Sequence, residues 1–202
     1  SEMCIRDRGE DDTAKTEHYD VLLTAMVMRL RQLFRDDSLP FLNVQLPMWI
    51  AAGDEDKHDW ARLRLAQARA ANALQPGGLA ILLDCGEFDN IHPTDKRTPG
   101  ERLCDVALRV VYGMDAPESP RALGKYTQGD TLVVTLSAPV LRRETGELLL
   151  EIAGEDGAYH PVQSVTLDGT EMRLRSVAVL HPAKVRYAYV NWGKVALFGR
   201  NG

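Results

Sequence analysis

The chain has 202 residues, of which 45% are hydrophobic, so it can bury a core and form one or two domains. Its net charge of −5 and its scattered Lys and Arg residues argue against a nucleic-acid-binding surface. No apolar run approaches the roughly 20 residues that span a bilayer, and no secretory signal is recognisable before the first predicted helix.

Residues 17–35 are predicted to form the first helix, because apolar side chains recur there at helical spacing. The predicted apolar face consists of five residues: Leu22, Met26, Leu30, Leu33 and Phe34. A strand is predicted over residues 41–46, and Trp49 follows its end. The polar run at residues 54–58 is interpreted as a solvated, charged loop.

A second helix is predicted over residues 60–74 with Asp59 as its N-cap, and a second strand over residues 79–83. The helix has one buried face, formed by Trp60, Leu63, Gln67, Ala70 and Leu74. Because both strands are apolar and a helix connects them, we expect them to pair in parallel. Their carboxyl ends then share one edge of the sheet, which places residues 45–49 near residues 89–92.

Residues 84–93 (DCGEFDNIHP) follow the second strand and contain four side chains capable of chemistry: Cys85, Glu87, Asp89 and His92. Loops at the carboxyl ends of strands in open α/β sheets are where ligands bind. An acid three residues before a histidine can accept the imidazole N–H. It then fixes the tautomer and leaves the other nitrogen free to act as a base.

Two other interpretations of this loop stay open. On spacing alone the favoured interpretation is that Asp89 and Asn90 form a polar turn with His92 at the surface, since a single Asp-x-x-His is a weak motif. The loop also holds suitable metal ligands, but it lacks the paired Cys or His spacing of zinc sites. Cys85 fits a small buried packing role, and three cysteines in the chain form no even disulfide framework.

After the loop, Thr98, Pro99 and Glu101 predict a helix start. Its apolar stripe consists of Leu103, Val106, Ala107 and Val110. From residue 117 the pattern changes to short strands separated by turns, which predicts an antiparallel β module. The predicted strands cover residues 131–136, 148–152, 172–175 and 185–190.

Residues 84–96, followed by Gly100-Glu101-Arg102-Leu103, closely resemble the end of the catalytic domain in the sialate O-acetylesterase family. These enzymes are carbohydrate esterases of the SGNH-hydrolase superfamily, in which one Asp-x-x-His block supplies the Asp and His of a Ser-His-Asp triad. Asp89 and His92 match that block, although many relatives carry Asn-Asp-Ile-His or a more divergent form there. Residues 40–46 and 185–192 also resemble strings in these esterases.

The resemblance implies a partial SGNH-type three-layer α/β/α domain with a parallel sheet, followed by a small antiparallel β accessory domain. The expected α/β domain covers residues 9–116, and the expected β-sandwich-like domain covers residues 117–202. Residues 1–8 do not fit the family pattern that Gly9 and Glu10 resume, so we interpret them as a non-native or disordered leader.

The resemblance also implies the site. The family's nucleophilic serine lies in a Gly-Gln-Ser-Asn-like block upstream of Gly9, and no serine of this sequence lies in such a block. We therefore expect the chain to supply the base His92 and its partner Asp89 but no nucleophile, and to be catalytically incomplete. Gly9 and Asp12 fall in the family's third block, which contributes to the oxyanion hole. Gln45 and Trp49 are possible substrate-site residues, since Trp can stack on a sugar face.

Two functions follow as alternatives. The first is the carboxyl-terminal portion of a serine O-acetylesterase, acting on an acetylated sugar or glycan without a metal or organic cofactor. The second is a non-catalytic carbohydrate-binding or scaffold protein, in which the α/β part is retained only for its fold. For Arg186, Tyr187 and Trp192, packing is favoured over contact with a glycan. Neither a nucleic acid nor a membrane is an expected partner, and the sequence fixes neither the oligomeric state nor the cellular compartment.

Overall fold

A computed structural model describes residues 10–199, apart from the side chains of residues 10, 11 and 14. The chain forms two compact units. The first runs to Pro117 and also includes Val190–Trp192, and the second comprises Glu118–Tyr189 and the chain from Gly193 onward. The expected leader at residues 1–8 and Gly9 lie outside the described residues. No helix in the described range is long and apolar enough to cross a membrane.

The first unit contains three α-helices and two strands within the described residues. A 3₁₀ helix, Glu10–Lys15, precedes them. The helices are α1 (Thr16–Phe34), α2 (Asp59–Ala73) and α3 (Arg97–Val110). The strands β1 (Phe41–Val44) and β2 (Gly77–Ala80) pair in parallel, with Phe41 opposite Gly77 and Val44 opposite Ala80. The predicted parallel pairing is confirmed, and both strands are shorter than predicted.

The core of the first unit lies between α1 and α2. Its buried side chains are Tyr19, Leu23, Val27, Leu63, Ala66, Ala70 and Leu74. All five residues of the predicted α2 face are buried, so that prediction is confirmed. The predicted α1 face is wrong at Leu22, Leu33 and Phe34, which are 44%, 61% and 69% exposed, whereas Met26 packs against this core as predicted.

The buried stripe of α1 ends in a charged residue, which explains the error. Arg31 is only 4% exposed, and its guanidinium donates to the carbonyls of Leu39, Gln75 and Pro76 at 2.9–3.2 Å. These bonds satisfy a buried cation and join the end of α1 to the start of β1 and β2. A pattern of apolar residues at helical spacing does not identify a buried arginine.

Both predicted helix caps need correction. The N–H of Trp60 in the first turn of α2 is accepted by Asp59 Oδ1 and by Asn191 Oδ1, each at 3.0 Å. Asp59 is the first helical residue and His58 holds the N-cap position, while Asn191 completes the helix start from 131 residues away. At α3 the helix begins one residue before Thr98, and Asp95 Oδ1 accepts the N–H of Arg97 at 2.9 Å and that of Thr98 at 3.1 Å.

Val190–Trp192, which we name the return strap, is held in the first unit by Asn191. This residue is 6% exposed, and its backbone and side-chain polar groups are all bonded. Its partners are the Trp49 N–H (2.8 Å), the Asp56 carboxylate (2.8 Å), the Asp59 carboxylate (2.6 Å) and the Trp60 N–H (3.0 Å). Asp56 is thus engaged with the strap, which corrects the interpretation of residues 54–58 as a purely solvated loop.

The second unit contains strands only, within the described residues. They are β3 (Ala122–Gln128), β4 (Thr131–Leu136), β5 (Val140–Arg142), β6 (Leu150–Ala153), β7 (His160–Pro161), β8 (Ser164–Asp168), β9 (Glu171–Arg175), β10 (Lys184–Tyr187) and β11 (Leu197–Gly199). They form antiparallel sheets ordered β3-β4-β9-β8, β10-β6-β7 and β11-β5. The predicted antiparallel β module is confirmed at this level.

The core of the second unit is formed by inward-facing side chains of β4, β6 and β9. Val134, Ile152 and Leu174 are at most 2% exposed. The fold as a whole is mixed α/β with several small sheets. The three-layer SGNH arrangement and the sandwich-like form of the second unit stay predictions.

Candidate functional site

The loops that follow β1 and β2 meet closely at the carboxyl edge of the two-stranded sheet. Gly86 lies against the backbone of Met48, where a Cβ atom on Gly86 would fall 1.8 Å from the Met48 carbonyl oxygen. Three residues further on, the Asp89 N–H donates to the carbonyl of Ile50 at 3.1 Å. The prediction that these two loops lie side by side is confirmed.

Asp89 lies at a corner of the loop, in the left-handed backbone region with a φ of 57°. Aspartate enters this region more readily than most residues. Its Oδ1 accepts the N–H of Ala52 at 2.8 Å, so the carboxylate ties the loop after β2 to the loop after β1. Within residues 10–199 it accepts no hydrogen bond from His92. The orienting role of Asp89 therefore stays a prediction.

His92 is exposed on the same loop. Its backbone N–H donates to Asn90 Oδ1 at 3.1 Å, and Pro93 behind it is buried. The backbone is thus anchored on both sides while the ring remains accessible. A neutral imidazole carries one nitrogen that can accept a proton, so the position suits a general base.

Glu87 organises the turn between Cys85 and His92. Its Oε1 accepts both the N–H and the hydroxyl of Thr94 at 2.6 Å, and its Oε2 accepts the Asn90 side-chain amide at 2.6 Å. These hydrogen bonds, the one from the Thr94 hydroxyl above all, hold the pKa of Glu87 below its ordinary value. The carboxylate of Glu87 therefore closes the loop.

An ion pair between Asp84 and Arg102 joins the base of the loop to α3. Arg102 Nη1 and Nη2 lie 2.5 and 2.7 Å from the two carboxylate oxygens of Asp84, and Nη1 also donates to the carbonyl of Ile81. Burial disfavours the charged form of Asp84, but the hydrogen bond and charge of Arg102 outweigh burial and hold the pKa of Asp84 below its ordinary value.

Cys85 is buried, and its sulfur lies 3.6 Å from Asp84 Oδ1 and 3.5 Å from Arg102 Nη1. Burial, together with the Asp84 charge, raises the pKa of the Cys85 thiol to about 12. The thiolate is the nucleophilic form of cysteine, so Cys85 is a packing residue, as its sequence context predicts. No group of three or more His, Cys, Asp or Glu side chains suited to a metal ion occurs in the part of the chain that the structure describes.

The other expected site residues lie in the first unit. Gln45 is buried at the end of β1, and its Oε1 has no partner within residues 10–199. The Trp49 ring packs at 5.1 Å from the Trp60 ring, which makes it a part of the protein's packing. One carboxylate oxygen of Asp12 is buried without a described partner. The structure shows no contact of these three residues with His92.

The sequence did not identify a pair of aromatic side chains at this loop. The ring of Phe88 lies 5.9 Å from the ring of Trp192, with 58° between the planes. Phe88 is 54% exposed, and Trp192, the last residue of the return strap, lies beside it. The residues around Phe88 give no indication of its contact with Trp192, because the two residues are distant in the sequence.

A parallel strand pair with an accessible histidine at its carboxyl edge is consistent with the fold of an esterase. Among solved structures, the chain is similar to a carbohydrate acetylesterase from Xanthomonas citri, with a TM-score of 0.82 and 30% identity. The match covers 96% of this chain and 46% of that chain, so this chain spans less than half of the length of that protein. No protein-family model and no curated protein match the chain.

The comparison supports the expected carbohydrate esterase at the level of the class. It agrees with the resemblance noted for residues 84–103, and it does not distinguish a sialate O-acetylesterase from other carbohydrate esterases.

Proposed function

We propose that this chain carries the general base, His92, of a serine carbohydrate O-acetylesterase. The observation that carries the proposal is the accessible imidazole at the carboxyl edge of a parallel strand pair, in a chain 30% identical to a carbohydrate acetylesterase. The resemblance of residues 84–103 to sialate O-acetylesterases supports the same activity.

In this proposal a serine hydroxyl attacks the acetyl carbonyl while His92 takes the hydroxyl proton. Hydrogen-bond donors stabilise the negative oxygen of the tetrahedral intermediate, and Gly9 and Asp12 belong to the region expected to contribute there. The intermediate collapses, the bond to the sugar oxygen breaks, and that oxygen takes the proton from His92. Water then attacks the acetyl-serine by the same route, releasing acetate and restoring serine and His92.

The nucleophile lies outside these 202 residues in this proposal. The serines are Ser1, Ser38, Ser119, Ser137, Ser164 and Ser176, and none stands in a Gly-Gln-Ser-Asn-like string. Asp89 is the proposed partner of the His92 imidazole, while Gln45 and Trp49 are proposed to lie along the sugar. The substrate is an acetylated sugar or glycan.

The test begins with the reading frame upstream of the Gly9 codon, where we expect a Gly-Gln-Ser-Asn-like block. In the longer protein, His92→Ala should lower kcat for acetate release from acetylated sugars by about 10³-fold or more, as loss of a triad base does. The control is His18→Ala, which removes an exposed histidine of α1 and should leave kcat unchanged. A near-normal rate in His92→Ala would contradict the proposal.

The 202-residue chain alone should release no acetate, because it lacks the attacking hydroxyl. Turnover by this chain that disappears in His92→Ala would show that the chain contains its own nucleophile.

The alternative function is a non-catalytic carbohydrate-binding protein. It is favoured by the missing serine block and by the Asp89 carboxylate, which bonds to Ala52 and not to His92. Absence of a serine block upstream, together with sugar binding by the chain, would favour this alternative over the esterase.

A further inference from the structure

Phe88 and Trp192 form an aromatic wall on the loop that carries His92. Phe88 lies at the tip of a turn that closes with a hydrogen bond from the Asn90 N–H to the Glu87 carbonyl, at 3.4 Å. Its ring contacts that of Trp192 at 5.9 Å. His92 lies four positions after Phe88 in the chain, so their Cα atoms are at most about 14 Å apart.

Both rings of the aromatic wall stand on fixed backbone. Asp89, next to Phe88, is bonded through its N–H to Ile50 and through its carboxylate to Ala52. Asn191, next to Trp192, is buried and bonded to four groups of the first unit. A ligand would meet rings that are already positioned, so little ordering would oppose binding.

The loop that carries the wall also exposes apolar side chains that lie outside both hydrophobic cores. Phe88 is 54% exposed and Ile91, one residue before His92, is 38% exposed. Neither residue belongs to either hydrophobic core. Large apolar side chains grouped at the surface beside a polar, reactive group are a feature of ligand sites.

The charges that flank the wall restrict its ligand. Glu87 and Asp89 stand on either side of Phe88 in the chain, and the hydrogen bonds of Glu87, with a smaller contribution from the charge of Lys96, favour its ionised form. The two carboxylates outnumber this one cation. An anionic sugar placed over Phe88 would be repelled by these carboxylates, whereas a neutral sugar would not.

We propose that Phe88 and Trp192 bind the ring of a neutral acetylated sugar, with the apolar C–H face of the sugar against the aromatic wall. This inference rests on the proposed function, because it places the alcohol part of the ester beside His92. It goes further by naming the residues that hold the sugar and by favouring a neutral sugar over a sialic acid.

The test uses the complete 202-residue chain labelled with ¹⁵N and titrated with fully acetylated methyl glucoside. The chain has three tryptophans, and Trp192→Phe assigns the indole N–H signal of Trp192. We expect this signal to shift during the titration while that of Trp60, whose indole N–H donates to the Pro47 carbonyl, does not. Phe88→Ala should raise the Kd by about tenfold, since an aromatic contact is lost.

The control is Tyr112→Ala, which removes an aromatic side chain that is 69% exposed at the end of α3. It should leave the Kd unchanged. An O-acetylated sialic acid should bind the unaltered chain at least several-fold more weakly than the glucoside. A Trp192 signal that does not shift, an unchanged Kd in Phe88→Ala, or tighter binding of the sialic acid would overturn the inference.

Failure of this inference can be told from failure of the esterase proposal. His92-dependent turnover in the longer protein with no shift of the Trp192 signal overturns the sugar contact alone. A shifted signal with no turnover in a longer protein that carries the serine block supports the sugar contact and overturns the esterase.

Discussion

Asp89 has one observed role, which is to anchor its loop, and one proposed role, which is to support the His92 imidazole. A single substitution can distinguish these two roles. Its carboxylate accepts the Ala52 N–H from a left-handed backbone position. An asparagine tolerates the same backbone and offers the same acceptor oxygen. Only the negative charge, which an imidazolium partner needs, is lost.

We therefore expect Asp89→Asn to keep the unfolding free energy within about 0.5 kcal/mol. If Asp89 supports the His92 imidazole, kcat of the longer protein should fall by up to about 10⁴-fold, as for the acid of a serine triad. Chemical denaturation and acetate release measure the two effects. An unchanged kcat would restrict Asp89 to anchoring the loop.

Asp84 should make its contribution to stability only at a pH at which it is ionised. Its pKa is lower in the folded protein, so the contribution is full above the unfolded pKa of about 3.9 and is lost as pH falls through the folded value. Asp84→Asn should cost about 1–3 kcal/mol near neutral pH, because Arg102 loses a charged partner.

The measurement compares denaturant unfolding of the Asp84→Asn variant and of the unaltered chain between about pH 7 and pH 2.5. Other carboxylates are common to both proteins and cancel in the difference. The difference should shrink on acidification; a constant difference would mean that the ion pair with Arg102 contributes nothing.

At the scale of elements, Gly86 determines how closely the two loops of the site approach. A side chain there meets the Met48 carbonyl, which is backbone and cannot rotate away. Gly86→Ala should therefore destabilise the protein by about 2–3 kcal/mol, at the upper part of the range for overpacking. Thermal or denaturant unfolding measures the change.

Gly100 provides the control for Gly86. It lies in α3, and a Cβ atom built on it meets nothing within 4 Å. Gly100→Ala should be neutral or stabilise the protein by up to about 1 kcal/mol, because alanine favours a helix. Equal effects of the two substitutions would show that the contact with Met48 is unimportant.

An element could be predicted from the sequence where the residues that determine it are close together in the chain. All five residues predicted from apolar spacing for the α2 face are buried, although Ala61, Arg64, Ala66 and Ala71 are buried as well. The face of α1 was predicted less well, since its stripe continues through Arg31, whose burial depends on three distant carbonyls. The start of α2 needs Asn191, and the aromatic wall needs Trp192. No local pattern connects these residues with their partners.

For the whole molecule, the return strap is the feature with the widest effect. Asn191→Ala removes a bond to the first turn of α2 and one of the donors to the half-buried Asp59 carboxylate. We expect a cost of about 1–3 kcal/mol, because a bond to the helix start and a hydrogen bond to a carboxylate are both lost. Tryptophan fluorescence measures it, because Trp49, Trp60 and Trp192 all lie in the first unit.

Gln32→Ala, an exposed position on α1, serves as the control and should change stability by less than about 0.5 kcal/mol. An Asn191→Ala protein as stable as the Gln32→Ala protein would contradict the importance of the strap.

The strap also has a consequence for biosynthesis. A ribosome adds residues at about 5–20 per second. Several seconds therefore pass between the synthesis of Pro117 and that of Asn191, and the first unit lacks the return strap during this interval. During that interval α2 lacks one acceptor for its first turn, and Phe88 lacks the indole it contacts. A nascent chain stalled before residue 190 should therefore be more sensitive to protease in its first unit than one stalled within a linker fused after residue 202.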